Sequence, residues 1–350
     1  MKVAVLGVGL IGGSIGMAIG DHVPGSEVAG FGRSPERLAR AVDRGAIHQA
    51  AGSLEEALEG AEACFCCGPV GALPQQVAAG LEAAGADCVV SDVGSVKRGL
   101  VERFADERFV GGHPIAGAET AGVEHARGDL FQGAVWYLTP SKTSSGILYE
   151  RLHRLVVALG AHPVAIDAEA HDRLLATVSH LPHVVANALV SQAAGHGELP
   201  RVGPSFRDAT RVAGANSAIW TDIYIANRAA IADEVEVTAE RLRRAAEILR
   251  TGDAQAVTDW NEQAAADRRR LLEADSTEGA VHELRLTVPN RPGIVARVAL
   301  ALGKAGVNIV DLALAPASDM RTGAMTLWIA GDEQAERARE LIADLGFPVA

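Results

Sequence analysis

The chain is predicted to be an α/β protein with a doubly wound, mostly parallel sheet. An all-α domain and a small α+β domain of ferredoxin-like topology follow it. Three observations predict this. A short apolar run at 2–6 leads directly into Gly7-x-Gly9-x-x-Gly12 and an apolar helical stretch. Strand-like and amphipathic runs then alternate as far as residue 166, which implies a sheet with helices on both faces. Beyond 166 the patterning is helical alone until about residue 274, and the alternation returns after 280.

Strands are expected at 2–6, 27–31, 63–67, 88–91, 108–111, 135–138 and 162–166. Helices are expected between them at 10–19, 35–44, 54–59, 71–83, 96–104 and 144–159. The second domain, 167–274, reads as long helices at 168–194, 217–250 and 253–274, with loops near 195–204 and 251–252. Helices of that length with no strands among them suit a domain that dimerises through apolar faces. Residues 274–279 are short, polar and acidic, as in a linker. The third domain, 280–350, reads strand 281–288, helix 293–304, strands 308–315 and 322–329, helix 332–345, with the final residues as a further short strand.

A chain of 350 residues with 48% hydrophobic content can bury sizeable cores, and its net charge of −12 argues against a nucleic-acid surface. Cys64, Cys66, Cys67 and Cys88 read as buried free thiols, because 63–67 patterns as a strand and no second pair completes a zinc site. Free thiols make the cytoplasm the expected compartment. Residues 1–20 hold six glycines and one early lysine, which does not fit a signal peptide, and no other stretch is read as reaching membrane-spanning length without charges.

The glycine turn reads as a Rossmann-type dinucleotide site. Gly7 permits the tight turn, Gly9 lets backbone approach a pyrophosphate, and Gly12 lets helix pack on strand. The N–H groups of Leu10, Ile11 and Gly12 would face the phosphates at the positive end of the helix. The second strand ends in Gly32-Arg33-Ser34, with Gly32 where an acid would hold the ribose 2′-OH. Arg33 and Ser34 lean the choice between NAD and NADP toward NADP or dual use, since guanidinium binds a 2′-phosphate well; stacking of Arg33 on adenine suits either cofactor.

Two polar loops, 91–97 and 111–117, sit at carboxyl ends of expected strands, where open α/β sheets bind ligands. Together with GVGLIGGS at 7–14, the segments DVGSVK (92–97), GGHPIAGAE (111–119), SHLPH (179–183), FRDATR (206–211) and IWTDI (219–223) resemble the prephenate/arogenate dehydrogenases of tyrosine biosynthesis. The resemblance covers roughly residues 1–275. The tail, with Asn290-Arg-Pro292-Gly293 opening its helix and Gly306-Val-Asn308 starting a strand, looks like an ACT domain, a module that usually binds small regulatory molecules.

The resemblance implies oxidative decarboxylation of a cyclohexadienol: a hydride leaves ring C4, the 4-OH loses a proton, and the ring carboxylate departs as CO2. His113 matches the proton acceptor, and imidazole titrates near working pH. Ser95 matches a serine that would bond that imidazole and the 4-OH; it also reads as the N-cap of a helix starting at Val96. Arg211 and His183 match groups that hold the substrate, and Asp208 either orients Arg211 or caps a helix. Trp220 reads equally as pocket wall and as core. Pro182 should interrupt its helix. His171, His180 and His183 lack the company of a metal set, so no metal is expected.

Lys97 and Arg98 read as solvated helix-start residues, with help to a negative substrate as the alternative, and the arginines at 268–270 as a solvated face. The expected substrate is prephenate, with arogenate or both as the alternative. Tyrosine is the expected effector at Asn290, Pro292, Gly293 and Asn308, and the expected assembly is a homodimer. A hydroxy-acid dehydrogenase of like architecture would use a helical-domain lysine, yet 167–250 contains none. A nucleotide-responsive regulator is the non-enzymatic alternative.

Overall fold

The computed structural model describes residues 1–117, 120–195, 201–273, 281–316 and 321–347. The segment read as a linker at 274–279 lies outside the described residues, as does the expected last strand at 347–350 except for Phe347, which belongs to no strand.

The chain begins β1 (Lys2–Leu6), α1 (Leu10–His22), β2 (Glu27–Phe31), α2 (Pro35–Asp43), β3 (Gln49–Ala50), α3 (Leu54–Leu58) and β4 (Ala63–Cys66). It continues α4 (Leu73–Ala83), β5 (Val89–Asp92), α5 (Arg98–Arg103), β6 (Phe109–Pro114), β7 (Val135–Thr139), α6 (Gly146–Ala158) and β8 (His162–Ala165). The eight strands form one sheet in the order β3-β2-β1-β4-β5-β6-β7-β8. Every neighbouring pair is parallel except β6 with β7. The order reverses between β2-β1 and β4, so the switch point where such sheets bind ligands lies beside β1. β4 and β5 are buried at every residue, as strands covered on both faces must be.

Helices follow: α7 (Ala168–Leu175), a π turn over Ala176–His180, α8 (Leu181–Ala194), α9 (Pro204–Thr210), α10 (Ser217–Ala226), α11 (Arg228–Thr251) and α12 (Ala254–Glu273). The expected single helix at 217–250 is two, parted at Asn227. The π turn sits directly before Pro182, where a ring that cannot continue the hydrogen-bond ladder is accommodated by widening the preceding turn. Contrary to the expectation about spanning length, the run Ala168–Ala194 is long and apolar enough to cross a membrane by length and composition. Residues 174–194 contain no Asp, Glu, Lys or Arg.

The tail folds as β9 (Val281–Pro289), α13 (Ile294–Lys304), β10 (Ile309–Pro316), β11 (Thr322–Ala330) and α14 (Asp332–Asp344). Its strands form an antiparallel sheet in the order β10-β11-β9. Alternate residues of β9 and β11 point into its core. That core is continuous with the core of the large sheet, because Leu148, Leu152 and Leu155 of α6 belong to the same cluster as Val295 and Leu312. Glycines make the approach possible. A Cβ on Gly303 would lie 1.9 Å from the Ala165 carbonyl oxygen, and one on Gly146 would lie 2.7 Å from Val295.

Two compact units result. One comprises residues 1–172, 216–226 and 281–350; the other comprises 173–215 and 227–280. In the second unit, α8 packs on α9 and on the 3-10 turn Arg211–Gly214, and α11 packs on α8 and the π turn.

Candidate active site

The glycine turn has the geometry its sequence requires. Gly7 has φ +93°, and its N–H donates to the Phe31 carbonyl at 2.8 Å. A Cβ on Gly12 would come within 2.3 Å of the Gly7 carbonyl oxygen, so only glycine lets α1 pack there. A Cβ on Gly9 would meet no protein atom within 4 Å, so packing does not demand glycine at that position; close approach by a ligand does. No side chain caps α1, which leaves the first-turn N–H groups of Leu10, Ile11 and Gly12 to an anion. These features fit a dinucleotide pyrophosphate. Ser34, named as a cofactor residue, also caps α2: its hydroxyl oxygen accepts from the Arg37 N–H at 3.3 Å, and its O–H donates to Glu36 at 2.7 Å. Arg33 is exposed and forms no ion pair with a described residue.

At the same sheet edge, three strand spacings from β1, His113 is the penultimate residue of β6. The sequence placed this residue in a loop; instead it belongs to the strand, paired with Tyr137 of β7. Its Nδ1 lies 2.9 Å from Nε2 of His171, and the two rings meet edge-on at 5.1 Å between centroids. His171 Nδ1 lies 2.8 Å from the Asp172 carboxylate. That carboxylate also accepts the backbone N–H of Lys97 at 2.8 Å and of Arg98 at 2.9 Å. It therefore caps α5, which begins at Arg98; the expected cap by Ser95 of a helix starting at Val96 is not formed. Ser95 is half-buried, with no side-chain hydrogen bond to a described residue, so the expected bond to His113 is absent as well.

Lys97 corrects the sequence reading most sharply. Its side chain is wholly buried rather than solvated. Its ammonium pairs with the Asp92 carboxylate and donates to the Gly112 carbonyl at 2.9 Å. Asp92 also accepts the N–H of Gly94 at 2.8 Å and of Gly112 at 3.2 Å. The pair ties β5 to β6 immediately beside His113. Burial pulls the Lys97 pKa below its ordinary value, and Asp92 pushes back. Burial likewise lowers His171, with Asp172 opposing. The glycine pair before His113 is steric. A Cβ on Gly111 would strike the Thr139 hydroxyl at 2.3 Å, and one on Gly112 would strike the Asp92 carbonyl oxygen at 2.6 Å.

Trp220 lies on α10, within the first unit, half-buried and tilted against Tyr224 at 5.4 Å. Asp222 on the same helix accepts the Gly71 N–H at 3.0 Å, which docks α10 on the loop after β4. His183 on α8 and Arg211 on the packed 3-10 turn share the second unit. Asp208 meets Arg211 through its backbone, its carbonyl accepting the Arg211 N–H. His180 is buried, with Nδ1 3.2 Å from the Asn227 amide. No group of three metal-ligating side chains occurs among the described residues. Asp92, Lys97, His171 and Asp172 are the site residues that sequence reasoning missed. His171-Asp172 lies close before SHLPH in the sequence, but nothing in its spacing signals a partner 58 residues upstream.

In the tail, Gly293 has φ +79° and donates its N–H to the Ser144 carbonyl at 3.0 Å, against the large sheet's own loop. Asn290 donates its N–H to the Arg321 carbonyl at 2.8 Å. The side-chain oxygen of Asn308 is buried and has no hydrogen-bond partner among the described residues.

A switch-point glycine turn and a partnered histidine at one sheet edge define a dinucleotide-dependent dehydrogenase. Residues 15–165 match the family description "Prephenate dehydrogenase, nucleotide-binding domain", and residues 167–263 match "Prephenate dehydrogenase, dimerization domain". The chain belongs to the prephenate dehydrogenase family. It is 29% identical to prephenate dehydrogenase of Bacillus subtilis (strain 168) over 360 residues, spanning 98% of this chain and 96% of that one. It is 31% identical to cyclohexadienyl dehydrogenase of Zymomonas mobilis over 241 residues, 65% of this chain and 82% of that one. Among solved structures, prephenate dehydrogenase from A. aeolicus, in complex with hydroxyphenyl propionate and NAD+, superposes with a TM-score of 0.72 at 28% identity, covering 77% of this chain and 98% of that one. Synechocystis arogenate dehydrogenase gives 0.70 at 26%, covering 77% and 100%.

Proposed function

We propose that the chain catalyses oxidative decarboxylation of prephenate to 4-hydroxyphenylpyruvate and CO2, with NAD or NADP as hydride acceptor. The observation that carries this is the position of His113, at the same sheet edge as the glycine turn and braced by His171. When bound, the nicotinamide supplies the acceptor for the hydride leaving C4. His113 takes the 4-OH proton, and Ser95 bonds the same hydroxyl. Arg211 grips a substrate carboxylate in bidentate fashion, His183 holds the side chain, and Trp220 walls the pocket. Gly7, Gly9, Leu10, Ile11 and Gly12 hold the pyrophosphate, and Arg33 and Ser34 the adenosine ribose or its phosphate. The three segments 1–166, 167–274 and 280–350 serve as cofactor, substrate-and-dimer, and regulatory domains.

Replacing His113 with Asn tests the assignment: kcat should fall about 10²–10⁴-fold while the cofactor Kd stays within a factor of two. Undiminished turnover would refute it. Kinetics with prephenate and arogenate against each cofactor separates the arogenate or dual-specificity reading, which the names of two relatives favour.

Exposed Val190, Val237, Leu242 and Leu249 on α8 and α11, together with the dimerization-domain match, support a homodimer, and four free thiols support a cytoplasmic home. The tail acts as an ACT module that binds tyrosine through Asn290, Pro292, Gly293 and Asn308. Tyrosine should raise Tm and lower activity, and Asn308→Ala should abolish both effects. Inhibition that persists in that variant would place the effector elsewhere.

A further inference from the structure

We infer that His171 and Asp172 are positioning residues that dictate which nitrogen of His113 carries the proton, and that they receive the charge His113 gains in turnover. The inference rests on His113 as the base and follows from the order of donors and acceptors.

An ionised carboxylate only accepts hydrogen bonds, and Asp172 already accepts two from the backbone of Lys97 and Arg98. Nδ1 of His171, 2.8 Å from it, must therefore donate. A neutral imidazole that donates from Nδ1 has its lone pair on Nε2. The atom facing that lone pair at 2.9 Å is Nδ1 of His113, which must donate in turn. The chain of bonds thus puts the His113 proton on Nδ1 and its basic lone pair on Nε2.

The proton then balances as follows. The substrate O–H bond breaks and its proton joins Nε2 of His113. The proton on Nδ1 of His113 can pass to Nε2 of His171, leaving the cation on His171 beside the Asp172 carboxylate. The reverse transfers return the proton to the phenolate oxygen of the aromatised product and restore the resting state, and the relay itself moves no electrons. The charged and titratable groups around His171 are Asp172 on its own helix, Lys97 and Asp92 from the β5 side, His113 of β6, and Tyr137 of β7, whose ring meets it edge-on at 5.5 Å. Burial above all, and Lys97 after it, disfavours a resting charge on His171, with Asp172 and Asp92 opposing.

Nitrogen-15 NMR of the histidine rings in the cofactor-free protein tests this, with His113 assigned by loss of its signals in His113→Asn. The Nδ1–H form should dominate in the parent protein. Asp172→Asn and His171→Phe should populate the Nε2–H form of His113 and move the acid limb of kcat to lower pH by about one unit. Both should lower kcat about 10–100-fold at unchanged KM and cofactor Kd. Should Asp172→Asn fail to fold, His171→Phe, which keeps an aromatic ring and loses the acceptor, decides alone. An Nε2–H His113 in the parent protein, or a tautomer and acid limb unmoved by His171→Phe, overturns the inference. A full Nδ1–H population alongside undiminished turnover of His113→Asn would instead sink the assignment of His113 as the base, while the positioning claim stands.

Discussion

His171 and His153 are both sealed inside the same unit, yet their surroundings are opposite. His171 is bonded at both ring nitrogens, to Asp172 and to His113. His153, on α6 under the tail, is 1% exposed, and neither of its ring nitrogens has a hydrogen-bond partner among the described residues. Burial presses its pKa down to about 4, although Asp311 and the Ile309 backbone, both of β10, oppose the shift. The contrast separates two reasons for burying an imidazole. One ring is oriented by its neighbours and passes a proton; the other fills volume and must stay neutral.

The largest effect should come from breaking the ion pair beside His171. Lys97→Met leaves the Asp92 carboxylate buried without its cation and should cost about 3–5 kcal/mol of unfolding free energy. Denaturant titration measures it. Adding Asp92→Asn should return more than half of that loss, and a double variant no better than the single would show the pair to be independent.

The next effect concerns His153. Its folded pKa lies below its unfolded one, so its stabilising contribution is complete above about pH 6.5 and is lost as pH falls toward 4. Between pH 7.5 and pH 5 this one ring should remove about 2 kcal/mol. In His153→Leu that pH-dependent part should vanish, whatever the variant's stability at neutral pH. An unchanged difference between the two pH values would mean His153 finds a partner on protonation.

The smallest effect lies at Gly32, half-buried at the end of β2. Gly32 has room for a side chain, its Cβ meeting only Leu38 at 3.8 Å. Gly32→Asp should move cofactor preference toward NAD by about five- to tenfold, on the order of 1 kcal/mol. Steady-state kinetics with both cofactors would show it.

Most of the sheet was legible because buried parallel strands read as apolar runs, and β1 and β2 fall where the pattern placed them. β3 was not legible: two residues carry no periodicity. The division at Asn227 was invisible because neither Gly nor Pro marks it. It matters, because it puts Trp220 in a different unit from His183 and Arg211. In the site, His113 could be named from its motif, but its brace could not. Lys97 looked solvated because a lysine at a helix start usually is. Only the fold reveals that Gly111 opens the space its side chain threads, a Cβ there lying 3.3 Å from the lysine Cδ. The uncharged run 174–194 escaped notice for a related reason: apolar helices made for a partner and apolar helices made for lipid share one composition.

Gly303 carries a consequence for anyone who would graft this tail onto another enzyme. A helix lying so near the Ala165 carbonyl that even a methyl group is refused has been fitted to one recipient surface. A chimaera would have to bring α6 and the end of β8 along with the tail, and a simple cut at the junction would leave two greasy wounds in place of two working modules.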